Sequence, residues 1–153
     1  IRGGHNIDPA IAEEALSSHP AVAMVGVVGQ PDARAGEVPC AFVELIKGAD
    51  VNVNDLIEHA KNNIGERAAI PKHIDLLVEM PKTPIGKVFK PDLRKLAIER
   101  VYNDVLKKSN LNVIVEKVID HPKNGLTAVL SGSDKSNSEQ VGKLLNKFIY
   151  SWE

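Results

Sequence analysis

The feature that most limits how this chain can fold is the run at residues 21–28, where Val22, Met24, Val25, Val27 and Val28 follow one another almost without a polar residue. An unbroken apolar run of this length, rich in β-branched side chains, predicts a strand that is covered on both faces. The sheet it belongs to must therefore have material packed above and below it. A second run at residues 38–46 behaves in the same way. The stretch between them, residues 29–37, holds Gly29, Pro31, Asp32 and Gly36 and is expected to be a loop. Two strands joined by so short a link pair antiparallel.

The segments around these strands carry helix signals. Asp8 is a good N-cap and Pro9 a good first helical residue, followed by Ile11, Ala15 and Leu16 on an inner face. Glu13 and Glu14 are expected outside, and Ser17-Ser18-His19-Pro20 stops the helix. After a turn at residues 47–50, Asn54 is expected to cap a helix whose apolar side is Leu56, Ile57, Ala60 and Ile64, with Gly65 ending it. A third strand is expected over residues 73–79. Leu93, Leu96, Ala97, Val101 and Val105 recur at helical spacing, which predicts a helix from Asp92 to about residue 107, closed by Ser109-Asn110.

The remainder reads as a β-β-α tail. Strands are expected over residues 113–119 and 126–130, joined by the turn Pro122-Lys123-Asn124-Gly125. Ser136 and Glu139 have capping-box spacing, and Val141, Leu144, Leu145, Phe148, Ile149 and Trp152 are expected on one face of a final helix. A unit of about 40 residues is near the lower limit for independent folding. Its apolar face is expected to cover the preceding domain or a neighbouring chain, and packing is favoured over ligand binding because no polar groups converge there. The fold class is α+β: a small, mainly antiparallel sheet flanked by helices, with the tail appended.

Composition excludes several roles. With 19 basic and 20 acidic residues the net charge is −1, which argues against a nucleic-acid platform. No apolar run approaches the ~20 residues of a membrane span, and no signal peptide is recognised. Cys40 is the only cysteine and the five histidines are scattered, so neither an internal disulfide nor a metal site is expected. A buried thiol in a reducing, cytoplasmic setting is the expectation.

One stretch does not serve the core. Met80-Pro81-Lys82-Thr83-Pro84-Ile85-Gly86-Lys87-Val88-Phe89-Lys90 contains two prolines that fix φ and a glycine that tolerates φ > 0. It reads as a stiff exposed loop holding Lys87 away from its own domain, with Pro91 opening the next helix. Taken alone, it reads as a solvated turn before it reads as a presented cation.

The pattern P-K-T-P-x-G-K followed by Asp92, Leu93 and Arg94 resembles the C-terminal lysine motif of the AMP-forming adenylating enzymes, such as acyl-CoA synthetases. The resemblance continues backwards through Ile70-Pro71-Lys72-His73-Ile74, Gly29-Gln30-Pro31-Asp32 with Gly36-Glu37, and Ser18-His19-Pro20-Ala21-Val22, to the glycine-rich Ile1-Arg2-Gly3-Gly4-His5-Asn6-Ile7-Asp8-Pro9. It fades beyond about Val101. Ile85 stands where a small or polar residue is common in the family, and Phe89-Lys90-Pro91 where a basic pair is common.

The resemblance implies that residues 1–108 are the mobile C-terminal (lid) domain of an acid–CoA ligase, excised from a longer chain, with residues 109–153 an extension of unknown role. It implies that Lys87 serves the adenylation half-reaction and that Gly86 sets the loop geometry. Gly3, Gly4 and His5 would line the passage for the pantetheine arm of CoA. ATP, Mg2+ and CoA would be bound by the full-length enzyme and none by the fragment. The partners would be the N-terminal adenylate-forming core of the same chain and a carboxylic acid. A carrier-protein thiol, or no thiol, could replace CoA. A non-catalytic interaction module, docking through Phe148 and Trp152, is the alternative from another class.

Overall fold

The computed structural model describes residues 6–153. Gly3, Gly4 and His5 lie outside the described residues. The apolar runs form β1 (Val22–Asp32) and β2 (Gly36–Leu45), paired antiparallel with Val27 opposite Ala41 and Asp32 opposite Gly36. Both strands run further towards each other than the sequence suggests. The expected loop over residues 29–37 shrinks to a tight turn, because the Asp32 carboxylate accepts hydrogen bonds from the Arg34 and Ala35 amides and Gly36 adopts a φ of 83°.

β3 (His73–Leu76) adds to the other side of β2 in parallel, with Ile74 opposite Ala41. It is shorter than expected. Its pairing ends at Leu76, and Val78 is fully exposed. A parallel neighbour requires a crossover, which α2 (Val53–Asn63) and a short 3-10 turn at Arg67–Ala69 provide. α2 is capped by Asn52, whose side chain accepts from the Asp55 amide, rather than by Asn54. Starting two residues earlier lets Val53 pack against the core. Gly65 is not left-handed, and Ile64 caps the helix in an extended conformation.

The sheet is covered on both faces. On one side α1 (Pro9–Ser17) and α2 bury Ala12, Leu16, Leu56 and Ala60 against Val22, Val27, Ala41 and Val43. Asp8 caps α1 as expected. Glu13 does not face outward: it accepts from the Val27 amide on the edge strand β1, a donor the sheet leaves unpaired. On the other side α3 (Lys90–Lys108) lays Leu93 and Ala97 over Val28, Cys40 and Phe42.

α3 is longer than one sheet can cover. Its second half buries Ile98, Tyr102 and Leu106 against the tail rather than the expected Leu96, which stays exposed. The tail pairs β4 (Ile114–His121) antiparallel with β5 (Gly125–Ser131) across the expected turn. α4 (Ser138–Leu145) follows, and its N-cap Asn137 makes no side-chain capping bond; the Ser136–Glu139 box does not form, because the Ser136 hydroxyl donates to Asp134. The final helix ends at Leu145. The chain then turns, so that β6 (Ser151–Trp152) joins β5 in parallel, and the tail is β-β-α-β. Phe148 and Trp152 therefore pack into the α3–tail core instead of lining a helix face, with Phe148 against Tyr102 at 5.3 Å and the Trp152 indole donating to Asn146.

Cys40 is fully buried on β2, and burial pushes its thiol from 9.0 up to about 12, with the nearby Arg100 charge opposing that rise. A thiol-reactive reagent at pH 8 should therefore label the native protein at least about a hundredfold more slowly than the urea-unfolded chain, since both exposure and thiolate are lacking. Equal rates would contradict this packing of β2.

Candidate functional site

Between β3 and α3 the chain builds a small hairpin, and every step of it is held. Met80 is buried among Val28, Cys40, Phe42 and Leu93, and its amide donates to the Glu44 carboxylate at 2.7 Å. Glu44 also faces Lys82 at 4.0 Å. Lys82 and Val88 bridge as antiparallel partners, and the Phe89 amide donates to the Pro81 carbonyl at 2.8 Å.

The tip is closed by Thr83. Its carbonyl accepts from the Gly86 amide at 2.9 Å, its own amide donates to the Lys87 carbonyl at 2.7 Å, and its hydroxyl accepts from the Lys87 amide at 3.1 Å. Gly86 adopts a φ of 85°, with open space where a Cβ would stand. A four-residue turn whose last residue is a left-handed glycine is the three-residue hairpin with a bulge, and only the backbone torsion requires glycine there. Pro84 enters that turn with φ already fixed.

The return arm rests on the sheet through Gly26. A Cβ at this position would meet Leu93 at 2.5 Å and Val88 at 2.8 Å, so the missing side chain on β1 is what seats the hairpin and the start of α3. An isolated glycine inside an apolar strand is the sequence signal for such an approach.

The lysines around this hairpin divide sharply. Lys82 faces Glu44, Lys90 pairs with Glu13 at 3.3 Å, and Lys95 pairs with Asp120 at 3.0 Å. Lys87 is exposed, and among the described residues its ammonium has no carboxylate partner and no hydrogen bond. Its neighbour Ile85 is also thrust out, 79% exposed. The result is a stiff tip carrying an unneutralised point charge.

A second feature lies at the other end of β3. Lys61 from α2, Arg67 from the 3-10 turn and Lys72 before β3 line an open cleft of about 730 Å³ together with Ile57, Ile70 and Pro71. Among the described residues none of these cations has a carboxylate partner. The sequence shows them only as scattered charges; the crossover brings them together. A smaller cavity of about 190 Å³ opens beside Ile7 and Pro9, where Lys90, Arg94 and Glu37 converge, and Tyr150 from the tail donates to Glu37. Burial, and then the Glu37 carboxylate, push the Tyr150 hydroxyl well above the ordinary range of a phenol.

Among the described residues no group of three or more His, Cys, Asp or Glu side chains is placed to share a metal ion, and no helix is long and apolar enough to cross a membrane.

Residues 12–87 match the AMP-binding enzyme C-terminal domain, a match that ends on Lys87 itself. A marinolic acid–CoA ligase of a Pseudoalteromonas species is 36% identical over all of this chain and 24% of its own length. A peroxisomal trans-cinnamate:CoA ligase of Petunia hybrida is 42% identical over 63% of this chain and 17% of its own. An acyl-CoA synthetase of Brucella canis superposes with a TM-score of 0.59 at 38% identity, over 65% of this chain and 19% of its own. The chain thus spans about a quarter or less of the length of these relatives. With a helix–sheet body that superposes on a synthetase of 38% identity and a sequence that matches over residues 12–87, that stretch of the chain belongs to the AMP-binding enzyme C-terminal domain family.

Proposed function

We infer that this chain is the mobile lid of an ATP-dependent, AMP-forming carboxylic acid–CoA ligase and that Lys87 is its adenylation cation. The observation that carries this reading is the ammonium of Lys87, unpaired among the described residues, on a hydrogen-bonded, proline-stiffened tip whose neighbouring lysines are paired. Adenylation joins a carboxylate to the α-phosphate of ATP, and negative charge gathers on the phosphorus oxygens and the departing pyrophosphate. A preorganised cation aimed at that charge lowers the barrier. A lysine is suited to be inserted and withdrawn, since it is a compact charge on a long stem. The adenylate-forming core would hold the acid, ATP and its Mg2+, so residues 1–153 alone would not catalyse. After adenylation the lid would turn, removing Lys87 and bringing the glycine segment Gly3-Gly4-His5 to the pantetheine arm.

The cleft lined by Lys61, Arg67 and Lys72 supports a thiol acceptor that carries phosphate groups, as CoA does. Arg67→Ala combined with Lys72→Ala in the full-length protein should raise the KM for CoA about tenfold or more, because charge-assisted hydrogen bonds to phosphate are lost. Pyrophosphate exchange should be unchanged. An unaltered KM would favour an acceptor without a nucleotide, such as a carrier-protein thiol or a non-thiol group.

The test of the main reading is to measure the two half-reactions separately in full-length Lys87→Ala. Loss confined to carboxylate-dependent pyrophosphate exchange supports it. Equal loss in both, including thioester formation from supplied acyl-adenylate, would trace the defect to folding and remove the assigned role. The lid would comprise residues 1–108, and residues 109–153 would travel with it, because α3 is shared between their cores.

A further inference from the structure

We propose that Thr83 is a positioning residue for adenylation: its side-chain hydroxyl fixes the direction in which Lys87 leaves the hairpin. The inference rests on the reading of Lys87 given above. Its basis is that one residue holds both backbone groups of Lys87. The Thr83 amide takes the Lys87 carbonyl at 2.7 Å and the Thr83 hydroxyl takes the Lys87 amide at 3.1 Å, while the Thr83 carbonyl closes the turn on Gly86 at 2.9 Å.

The backbone bonds would form with any residue at position 83. The hydroxyl bond would not, and it is the one that acts on the amide immediately before the Lys87 side chain. Threonine suits the position for two further reasons. It precedes Pro84, which restricts it to an extended backbone. It is also β-branched and stiff at χ1, so its oxygen is aimed rather than merely available.

The Lys87 amide is on an exposed turn, so removing its acceptor leaves it to water and costs the fold little. The consequence falls on direction. A long side chain amplifies a small rotation at its root, and misplacement of a reacting group by about 1 Å can cost on the order of a hundredfold in rate. Glu44 does not substitute for this role. It ties down the root of the hairpin at Met80 and Lys82, several residues from the tip.

The experiment compares Thr83→Val, which keeps the shape and removes the hydroxyl, with Thr83→Ser, which keeps the hydroxyl, in the full-length protein. Thr83→Val should lower kcat for carboxylate-dependent pyrophosphate exchange about tenfold, the worth of one hydrogen bond. KM for ATP and for the acid should stay within about twofold, as should thioester formation from supplied acyl-adenylate. Thr83→Ser should restore most of the rate. Hydrogen exchange at the Lys87 amide should quicken in Thr83→Val and recover in Thr83→Ser.

Faster exchange with unchanged adenylation would overturn the proposal, as would a loss that serine does not repair or that strikes both half-reactions. Lys87→Ala run alongside separates the two levels. If Lys87→Ala abolishes adenylation while Thr83→Val is silent, only the role of Thr83 falls. If Lys87→Ala retains adenylation, the reading of Lys87 falls and takes this one with it.

Discussion

Replacing Lys87 by alanine in the full-length protein should slow carboxylate-dependent pyrophosphate exchange by about 10²–10³, with thioester formation from supplied acyl-adenylate within about twofold of the parent. The magnitude follows from what is removed. A carboxylate attacking a polyphosphate brings two anions together, and the cation that offsets their repulsion must already be in place. On this chain the charge is pre-set: the turn at Thr83–Gly86 is closed, Pro84 fixes its entry, and the ammonium is not held by a rival carboxylate among the described residues. Lys82 cannot take over, because it stands on the opposite arm and faces Glu44 of β2. Lys87→Arg should recover only part of the rate, since a planar fork is wider than an ammonium and directs its donors differently.

The second large effect concerns stability. Tyr102→Ala should destabilise the chain by about 3–5 kcal/mol, as expected for losing a buried aromatic ring. For a chain of this size that lowers Tm by roughly 6–20 °C. Tyr102 is fully buried, packs against Phe148 with the rings tilted, and donates its hydroxyl to the Tyr150 carbonyl at 2.8 Å. It stands on α3 yet belongs to the core of the tail, with Ile98 and Leu106 beside it. For the same reason, cutting the chain after Lys108 should leave a protein that aggregates or melts well below the parent, because it bares that row of α3. Thermal unfolding of Tyr102→Ala, of Tyr102→Phe and of the truncated chain is the check. A truncated chain as stable as the parent would show that the tail is an independent appendage. Tyr102→Phe should fall between, since it keeps the ring and loses the hydrogen bond.

Much of the architecture was legible because it rests on local physics. Apolar runs marked β1 and β2, Asp8-Pro9 marked the start of α1, and Pro122-Lys123-Asn124-Gly125 marked the tail hairpin. The hairpin at Lys87 was legible too, since its prolines and glycine act on their own torsions.

What escaped depends on residues far apart in the chain. That Glu13 would turn inward to the Val27 amide requires knowing that β1 is an edge. That Glu44 would anchor Met80 requires the position of β2 beside the loop. On α3 the expected Leu93 and Ala97 are buried and Val101 and Val105 pack against the tail core, but Leu96 is exposed and Ile98, Tyr102 and Leu106 are buried, because two different cores divide the helix and no single stripe describes it. Phe148 and Trp152 sit at helical spacing, but the chain gains more by ending α4 at Leu145 and letting Glu153 exchange hydrogen bonds with Ala128 and Leu130 beside β5. The basic cleft needed the crossover to gather Lys61, Arg67 and Lys72.

The most direct measurement asks whether position 87 needs a charge at that reach and nothing else. In full-length Lys87→Cys, aminoethylation of the new thiol rebuilds an ammonium on a stem of nearly lysine length, while carbamidomethylation adds a neutral group of similar bulk; Cys40 is buried and remains unmodified. Pyrophosphate exchange should return with the aminoethyl group and not with the neutral one. Recovery with both, or with neither despite complete modification of the folded protein, would contradict it.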